Sequence, residues 1–319
     1  MSKQVKHVIL GTGQLGLAIM DELVAAGLPV KLVNRSGRVN EPLPAGVILE
    51  TADATNPDEV ARVTAGADVV FFCVQPAYHQ WPEKFPPLTA SIIEGVSRSG
   101  ARLVFGDNLY MYGPTNGQPI HEDLPYAAET RKGKTRAQMA NMLLTAHEAG
   151  KIKVTIGRAS DFYGPRVTSS MAGAMLFEAA LQGKTVNLTG DLNLPHTITY
   201  IRDFAHALVT LSENEAAYGR TWHIPSAETR TQTDFIKLVE AEIGRPIQVW
   251  AAGKWILRLI GLFNPAAGEV VEMMYEFNEP FVVDHSQYTA VFGAKVTPHE
   301  QAIRETVAWY QRQGEQVPA

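Results

Sequence analysis

A short apolar run that breaks into three glycines and then into a helical pattern constrains this chain more than any other feature. Val5 to Leu10 reads as a buried strand, and Gly11-Thr12-Gly13-Gln14-Leu15-Gly16 follows at once. Residues 14–26 then carry Leu15, Ile19, Leu23 and Val24 at helical spacing, and Gly27 supplies the stop. In a strand–turn–helix unit each glycine has its own task. Gly11 permits the tight turn, Gly13 lets the backbone approach a pyrophosphate, and Gly16 lets helix and strand pack closely. The first helical turn offers backbone N–H groups and a positive dipole end to such a phosphate. Residues 11–16 are therefore expected to hold a dinucleotide.

The rest of the first half keeps the same rhythm. Pro29 to Asn34 reads as a second strand. Asn56-Pro57-Asp58-Glu59 opens a helix, with Asn56 as cap, Pro57 at the first helical position and Glu59 closing a capping box. Ala67 to Val74 reads as a strand that includes Cys73, and residues 87–99 as a helix closed by Gly100. Arg102 to Phe105 and Ile152 to Ile156 read as strands on either side of a helix over 130–149 that Gly150 closes. This alternation predicts right-handed βαβ crossovers and an α/β fold, a doubly wound parallel Rossmann sheet. The expected division is a dinucleotide-binding domain over 1–165, to which the chain returns near 197–225, and a smaller C-terminal α/β substrate-binding lobe over 166–319. In that lobe helices are expected at 170–182, 202–213, 232–243, 252–275 and 298–313. Met171, Met175, Met273 and Met274 fall at helical positions and are expected to fill core. Trp255, Leu257, Leu259, Ile260, Leu262 and Phe263 suggest a core helix or a lid.

Composition narrows the partners. The chain has 319 residues and a formal net charge of -5, without a Lys/Arg run, so nucleic-acid binding has no electrostatic support. A single cysteine permits no internal disulfide and fits a reducing compartment; its place in an apolar run suits a small buried residue, not a nucleophile. No apolar run approaches the ~20 residues of a membrane span, so no membrane partner and a cytoplasmic location are expected. The histidines show no ligand spacing, so no metal is expected.

The end of the second strand selects the cofactor. An NAD site usually carries Asp or Glu there to hold the ribose 2′-hydroxyl. This chain has Asn34-Arg35-Ser36 instead. Without a carboxylate nothing repels a 2′-phosphate, and Arg35 can bind one with its planar fork of donors, which favours NADP(H) over NAD(H). Asp53 and Ala54 follow the third strand, where a side chain could meet the adenine edge; a plain turn role would account for Asp53 equally. The loop after the fourth strand runs Val74-Gln75-Pro76 and on through Tyr78, His79 and Trp81. By sheet topology it lies at the carboxyl end beside the nicotinamide. Val74, Gln75 and Pro76 are counted with the cofactor, and Tyr78, His79 and Trp81 as either substrate-pocket lining or a packed surface loop.

Several further segments resemble one family. Phe105-Gly106-Asp107-Asn108-Leu109-Tyr110-Met111-Tyr112-Gly113 is similar to a strand end leading into Tyr-Gly. Arg158-Ala159-Ser160-Asp161-Phe162-Tyr163-Gly164-Pro165 is similar to an Arg-x-x-Asn-x-Tyr-Gly-Pro segment. Ile201-Arg202-Asp203-Phe204-Ala205, Val283-Asp284-His285-Ser286, Phe292-Gly293 and Thr297-Pro298 match later parts of the same pattern in the same order. Together they resemble an extended, atypical short-chain dehydrogenase/reductase of the NAD-dependent epimerase/dehydratase family. That resemblance implies a Tyr-x-x-x-Lys pair with an upstream Ser or Thr. In the family the Tyr handles the proton, the Lys holds the nicotinamide ribose and lowers the Tyr pKa, and the Ser or Thr polarises the substrate. Here the motif falls on Lys132-Gly133-Lys134-Thr135-Arg136, so Lys132 stands in the Tyr place and Arg136 in the Lys place. Asn108 stands in the Ser/Thr place.

The resemblance thus implies an NADP(H)-dependent oxidoreductase or epimerase acting on a carbonyl, alcohol or sugar-derived small molecule. Asn108, Lys132, Arg136 and Tyr110 form the rewritten catalytic set. Arg136 and Ser160 also count toward the cofactor, and Asp161 and His196 toward the substrate. His196 falls where nucleotide-sugar members carry an Arg for the diphosphate, and a neutral His holds phosphate poorly. The alternative reading is a catalytically silent NADP(H)-binding sensor or regulator. Association into a homodimer through helices 87–99 and 130–149 follows the habit of similar proteins.

Overall fold

The structure, a computed structural model, describes residues 6–170, 172–252 and 271–315. The chain divides into two compact units. The first takes its described residues from Met1–Met111, Arg131–Arg158 and Phe204–Trp222; the second takes them from Tyr112–Thr130, Ala159–Asp203 and His223–Ala319.

The first unit is built on strands β1 (His7–Leu10), β2 (Val30–Asn34), β3 (Ile48–Thr51), β4 (Val69–Phe72), β5 (Arg102–Asp107) and β6 (Lys153–Arg158). They lie in the order β3-β2-β1-β4-β5-β6, with Thr221–His223 at the edge beside β6. The pairings from β3 across to β6 are all parallel. Every residue of β1 and β4 is buried, as both faces of a covered parallel sheet require. Each fully buried Val, Leu, Ile or Phe contributes roughly 1.5–3 kcal/mol. The register aligns Leu10 with both Val33 and Phe72, so the segments after β1, β2 and β4 leave the sheet at one level. The chain winds outward from β1 in one direction and resumes at β4 in the other, which puts the crevice for a ligand between these two strands' carboxyl ends.

Helices α1 (Gln14–Ala25), α2 (Pro57–Thr64), α3 (Trp81–Ser99) and α4 (Arg131–Glu148) connect the strands. Asn56 caps α2 by accepting from the N–H groups of Asp58 and Glu59. Glu59 does not close the expected capping box on the Asn56 backbone. One of its oxygens accepts from the Asp53 N–H and the other from the Asn56 carboxamide. Helix α3 begins at Trp81, six residues before the expected start. Pro82 suits the first helical turn, whereas Pro86 and Pro87 inside it discourage a helix locally, but Trp81, Phe85, Leu88, Ile92 and Val96 form one buried stripe that outweighs them. β4 ends at Phe72, so Cys73 and Val74 lie just beyond the strand, half-buried.

In the second unit Phe162–Tyr163 pairs in parallel with Thr199–Tyr200, and Val186–Thr189 with Val249–Ala252. Pro195–His196 runs antiparallel to Arg230–Thr231. Helices Ala174–Leu181, Gln232–Ile243 and His299–Glu315 pack around a core that includes Tyr163, Leu176, Phe177, Phe235, Val239 and Ile303. The helix expected over 252–275 is met at its start by a strand, Val249–Ala252, and near its end by a short turn of helix over Met274–Phe277. The rest of that expectation, with Trp255, Leu257, Leu259, Ile260, Leu262 and Phe263, lies outside the described residues, as does Met171. Met273 and Met274 are buried, but Met175 is 46% exposed on an eight-residue helix whose buried face is carried by Leu176, Phe177 and Ala180. No helix among the described residues is long and apolar enough to cross a membrane. No group of three or more His, Cys, Asp or Glu among them gathers into a metal site.

Candidate functional site

The glycine turn sits at the β1–β4 crevice. Gly11 adopts φ +105, and a Cβ there would meet the Cys73 carbonyl carbon and oxygen at 2.7 Å. The backbone after β4 therefore lies against the turn, and only glycine fits. A Cβ on Gly16 would lie 2.1 Å from the Gly11 oxygen, which explains its absence by packing alone. Gly13 is different. Its φ of -75 suits any residue, and a Cβ there would meet nothing within 4 Å. It is the first cap of α1, with no side-chain cap and no acid in the first turn. Open space beside an uncapped helix N-terminus is what an approaching pyrophosphate needs, so the residues present fit a dinucleotide.

Asn34 does structural work at the end of β2. Its Nδ2 donates to Thr12 Oγ1 at 2.7 Å and to the Arg38 carbonyl at 2.8 Å, and its Oδ1 accepts from the Gly37 N–H at 2.7 Å. It ties the glycine turn to the turn after β2. Ser36 Oγ joins this network at 3.3 Å from Asn34 Oδ1. Arg35 and Arg38 are both exposed on the same turn. Sequence reasoning passed over Arg38, although a second cation three residues past Arg35 was visible. Asp53 accepts from the N–H and hydroxyl of Thr55, which hold its carboxyl below the usual range with further help from the charge of Arg35. Asp53 is thus occupied in its own turn. Val74 and Pro76 are half-buried and Gln75 exposed on the neighbouring segment. Burial pushes the Cys73 thiol up to about 12, which suits an inert residue.

A cluster of cations and aromatic rings forms from the β4–α3 turn, the end of β5 and the start of α4. Lys132 is 1% exposed, and its Nζ lies 4.3 Å from the ring centroid of Tyr78. Arg136, one turn later on the same face of α4, stacks over Trp81 at 4.2 Å and Phe85 at 4.4 Å. Its Nη1 donates to Asp107 Oδ1 at 3.2 Å, while its Nε has no hydrogen-bond partner. Arg158 Nε, at the end of β6, lies 3.5 Å from the other Asp107 oxygen. Burial pushes the Asp107 carboxyl up, and Arg136 and Arg158 pull it back. Burial also pushes the Arg136 guanidinium down, opposed first by Asp107 and then by Tyr110 and Tyr78. Trp81 is 2% exposed and packs as a wall behind Arg136, its Nε1 donating to the Pro76 carbonyl at 3.2 Å. His79 is exposed, and Tyr110 is half-buried 6.0 Å from Trp81. Asn108 Oδ1 accepts from the Tyr110 N–H at 3.2 Å. The sequence reading brought Asn108, Tyr110, Lys132 and Arg136 together; it missed Asp107 and Arg158. A carboxylate ending a buried strand must find a cation, and that was the available signal.

Gln14 and Leu15 open α1 and Ala54 follows Asp53, all in the first unit, whereas Ser160, Asp161 and His196 belong to the second. Ser160 Oγ donates to the Thr197 carbonyl at 2.5 Å. His196 Nε2 lies 3.0 Å from Asp161 Oδ2. The His196 ring is stacked between Phe277 and Phe281, both with centroids at 5.0 Å. Asp161, His196 and Gln232 supply the polar lining of a cavity of about 30 Å³, otherwise walled by residues such as Leu176, Leu188 and Phe235. Glu276 is 2% exposed nearby; burial, then the charge of Asp161, holds its carboxyl well above the usual range.

The doubly wound sheet with a glycine turn at its switch point defines a Rossmann-type α/β protein. Residues 8–224 match the sequence model of the NAD dependent epimerase/dehydratase family. The chain belongs to that family. It is 24% identical over 197 residues to an uncharacterised UDP-glucose epimerase of Bacillus subtilis (strain 168), a match covering 59% of this chain and 62% of that relative. It is 23% identical over 271 residues to 2-alkyl-3-oxoalkanoate reductase of Shewanella oneidensis, covering 77% and 68%. The UDP-glucuronic acid 4-epimerase of Bacillus cereus, solved with NAD, has the same fold, with a TM-score of 0.77, 16% identity and coverage of 97% of this chain and 99% of that one.

Proposed function

We propose that this chain is an oxidoreductase that binds NADP(H) and acts on a neutral carbonyl or alcohol rather than a nucleotide-diphosphate sugar. The open space at Gly13 beside the uncapped start of α1 carries the cofactor reading. The preference for NADP(H) rests on the turn after β2, which has no carboxylate in the ribose place and exposes Arg35 and Arg38. When bound, a nicotinamide supplies or accepts the hydride. The chain's own residues hold the phosphates, orient the substrate and move the proton. Of these, Lys132, Arg136, Asn108 and the phenols of Tyr78 and Tyr110 gather at the carboxyl end of β5 and the start of α4. The case against a diphosphate rests on the second unit, where His196 is engaged with Asp161 and the neighbouring acid is Glu276. A dianionic group would meet carboxyl groups there and a histidine already committed. The Shewanella relative is by its name a 2-alkyl-3-oxoalkanoate reductase, and such a substrate offers a ketone without a nucleotide diphosphate.

The test is calorimetric titration of the full chain with NADPH and NADH, followed by loss of NADPH absorbance with ethyl 2-methylacetoacetate as probe. NADPH is expected to bind at least about tenfold tighter than NADH, from charge-assisted bonds to one phosphate. Failure of both to bind at millimolar concentration overturns the reading. One observation favours a silent NADP(H) binder instead: the two residues in the family's Tyr and Lys places are engaged with Tyr78 and Asp107. NADPH binding without turnover on any carbonyl of a broad panel would favour it.

A further inference from the structure

We propose that the cavity of the second unit binds a short aliphatic alcohol group, with two or three carbons against its apolar lining and the hydroxyl at Asp161 and His196. Every lining residue belongs to the second unit and none is assigned to the cofactor, so the site stands independently of the oxidoreductase reading. The apolar lining is drawn from separate elements. Leu176 lies on the helix Ala174–Leu181, Leu188 on the strand Val186–Thr189, Phe235 and Ile236 on the helix Gln232–Ile243, and Ile198 just before the strand Thr199–Tyr200. All five are buried. Close packing normally shuts such a space, because an empty apolar void weakens a fold. One water-sized group needs ~10–15 Å³. A cavity of about 30 Å³ therefore admits two or three such groups, the length of an ethyl or propyl chain. The Asp161 side chain is 25% exposed and that of His196 only 4%, so the site meets solvent at its carboxylate.

The polar end is fixed before a ligand arrives. His196 Nε2 donates to Asp161 Oδ2 at 3.0 Å, which leaves Nδ1 an acceptor in the neutral ring. Phe277 and Phe281 hold that ring nearly parallel to their own, at interplanar angles of 4° and 19°. The Phe281 N–H donates to the Pro195 carbonyl at 2.8 Å, which ties one of these rings to the backbone beside His196. Gln232 Nε2 donates to the Thr189 carbonyl at 3.4 Å, so the carboxamide oxygen is its remaining acceptor. Asp161, His196 and Gln232 thus offer acceptors, and a hydroxyl supplies the donor they lack. Burial and then the charge of Asp161 disfavour a second anion at Glu276, and a bound carboxylate would meet the same charge. An ammonium group would have to shed its hydration beside a lining that is mostly apolar. A neutral alcohol avoids both costs.

The test follows leucine and isoleucine methyl resonances of the full chain by NMR during titration with ethanol, 1-propanol, 1-butanol and 1-pentanol, without NADPH. Shifts are expected at Leu176, Leu188, Ile198 and Ile236, and not at Ile9 or Leu10 of β1. Affinity is expected to rise about fourfold from ethanol to 1-propanol, the increment of one buried methylene, and to rise no further by 1-pentanol. Propionate and propylamine are expected to bind at least about tenfold more weakly than 1-propanol. Ala172→Val and Ile236→Phe add carbon to the lining and are expected to weaken 1-propanol about tenfold. The smaller change, Ala172→Val, answers if Ile236→Phe does not fold, and the chain-length series needs no variant. No shift at these four residues with 1-propanol at about 100 mM overturns the site, since so small a ligand binds at best in the millimolar range. A fourfold gain per carbon that continues through 1-pentanol, or shifts spread equally over β1, also overturns it by showing adsorption without a closed cavity. Propionate or propylamine binding more tightly than 1-propanol overturns the assignment to an alcohol.

Discussion

Gly13 and Gly16 stand three residues apart in one turn, and opposite behaviour is predicted when each becomes alanine. At Gly16 the new Cβ would lie 2.1 Å from the Gly11 oxygen, where contact needs more than an ångström of additional room. Helix α1 and the turn after β1 would have to separate. Overpacking of this kind costs ~1–3 kcal/mol, and the backbone nature of the neighbour puts Gly16→Ala at the upper end. That corresponds to a fall in Tm of roughly 6–12 °C at ~2–4 °C per kcal/mol for a unit of this size. At Gly13 the Cβ meets nothing within 4 Å and φ is -75. Alanine is a poorer cap than glycine by some tenths of a kcal/mol, and a less flexible unfolded chain offsets ~0.4–1 kcal/mol. Gly13→Ala should therefore unfold within about 2 °C of the wild type. Its methyl would occupy the space assigned to the pyrophosphate, at a loss of one or two charge-assisted bonds and ~10–100-fold in NADPH affinity. Thermal unfolding and NADPH calorimetry on the two variants measure these effects separately. A Gly13→Ala protein that binds NADPH like the wild type would refute the placement of the phosphates, and an unchanged Tm in Gly16→Ala would refute the packing argument.

Other outcomes follow from the same physical reasoning. Asp107→Asn leaves the buried guanidiniums of Arg136 and Arg158 without their carboxylate and should cost about 3 kcal/mol in urea unfolding; an unchanged midpoint would mean the pair contributes nothing. Glu276 is held above its ordinary value of 4.5 by burial, so the unfolded chain releases a proton that the folded one retains as pH rises past that value. Stability should fall as pH rises through this window, by up to ~1.4 kcal/mol per unit, and Glu276→Gln should remove the loss. The Tm advantage of Glu276→Gln should then be larger at pH 8 than at pH 5, and parallel Tm curves would count against the argument. Asn56→Ala removes the cap of α2 and should cost ~1 kcal/mol in the same urea assay, with a cost near zero contradicting the capping role. Cys73, its thiol pushed up to about 12, should react with a thiol-specific disulfide reagent far more slowly than free cysteine at pH 8.

The sequence by itself determined the strand–turn–helix unit, the parallel sheet and the absence of an acid at the end of β2. These depend on neighbours along the chain: Gly11 beside its strand, Asn56 and Pro57 opening α2, and Gly27, Gly100 and Gly150 closing helices at positive φ. Tertiary structure decided what local propensity could not. Pro86 and Pro87 obscure the first turn and a half of α3, because only the burial of Trp81 and Phe85, packed on Arg136, outweighs them. Along the chain Lys132 could equally have been an exposed helix residue or a buried one; the folded chain buries it, with the Tyr78 ring from the β4–α3 turn against its Nζ. The Asp107, Arg136 and Arg158 cluster draws on two strands and a helix, and His196 is enclosed by Phe277 and Phe281 from far along the chain. Periodicity and capping are written in adjacent residues, whereas the charge and packing of a site depend on side chains that only the folded chain makes neighbours.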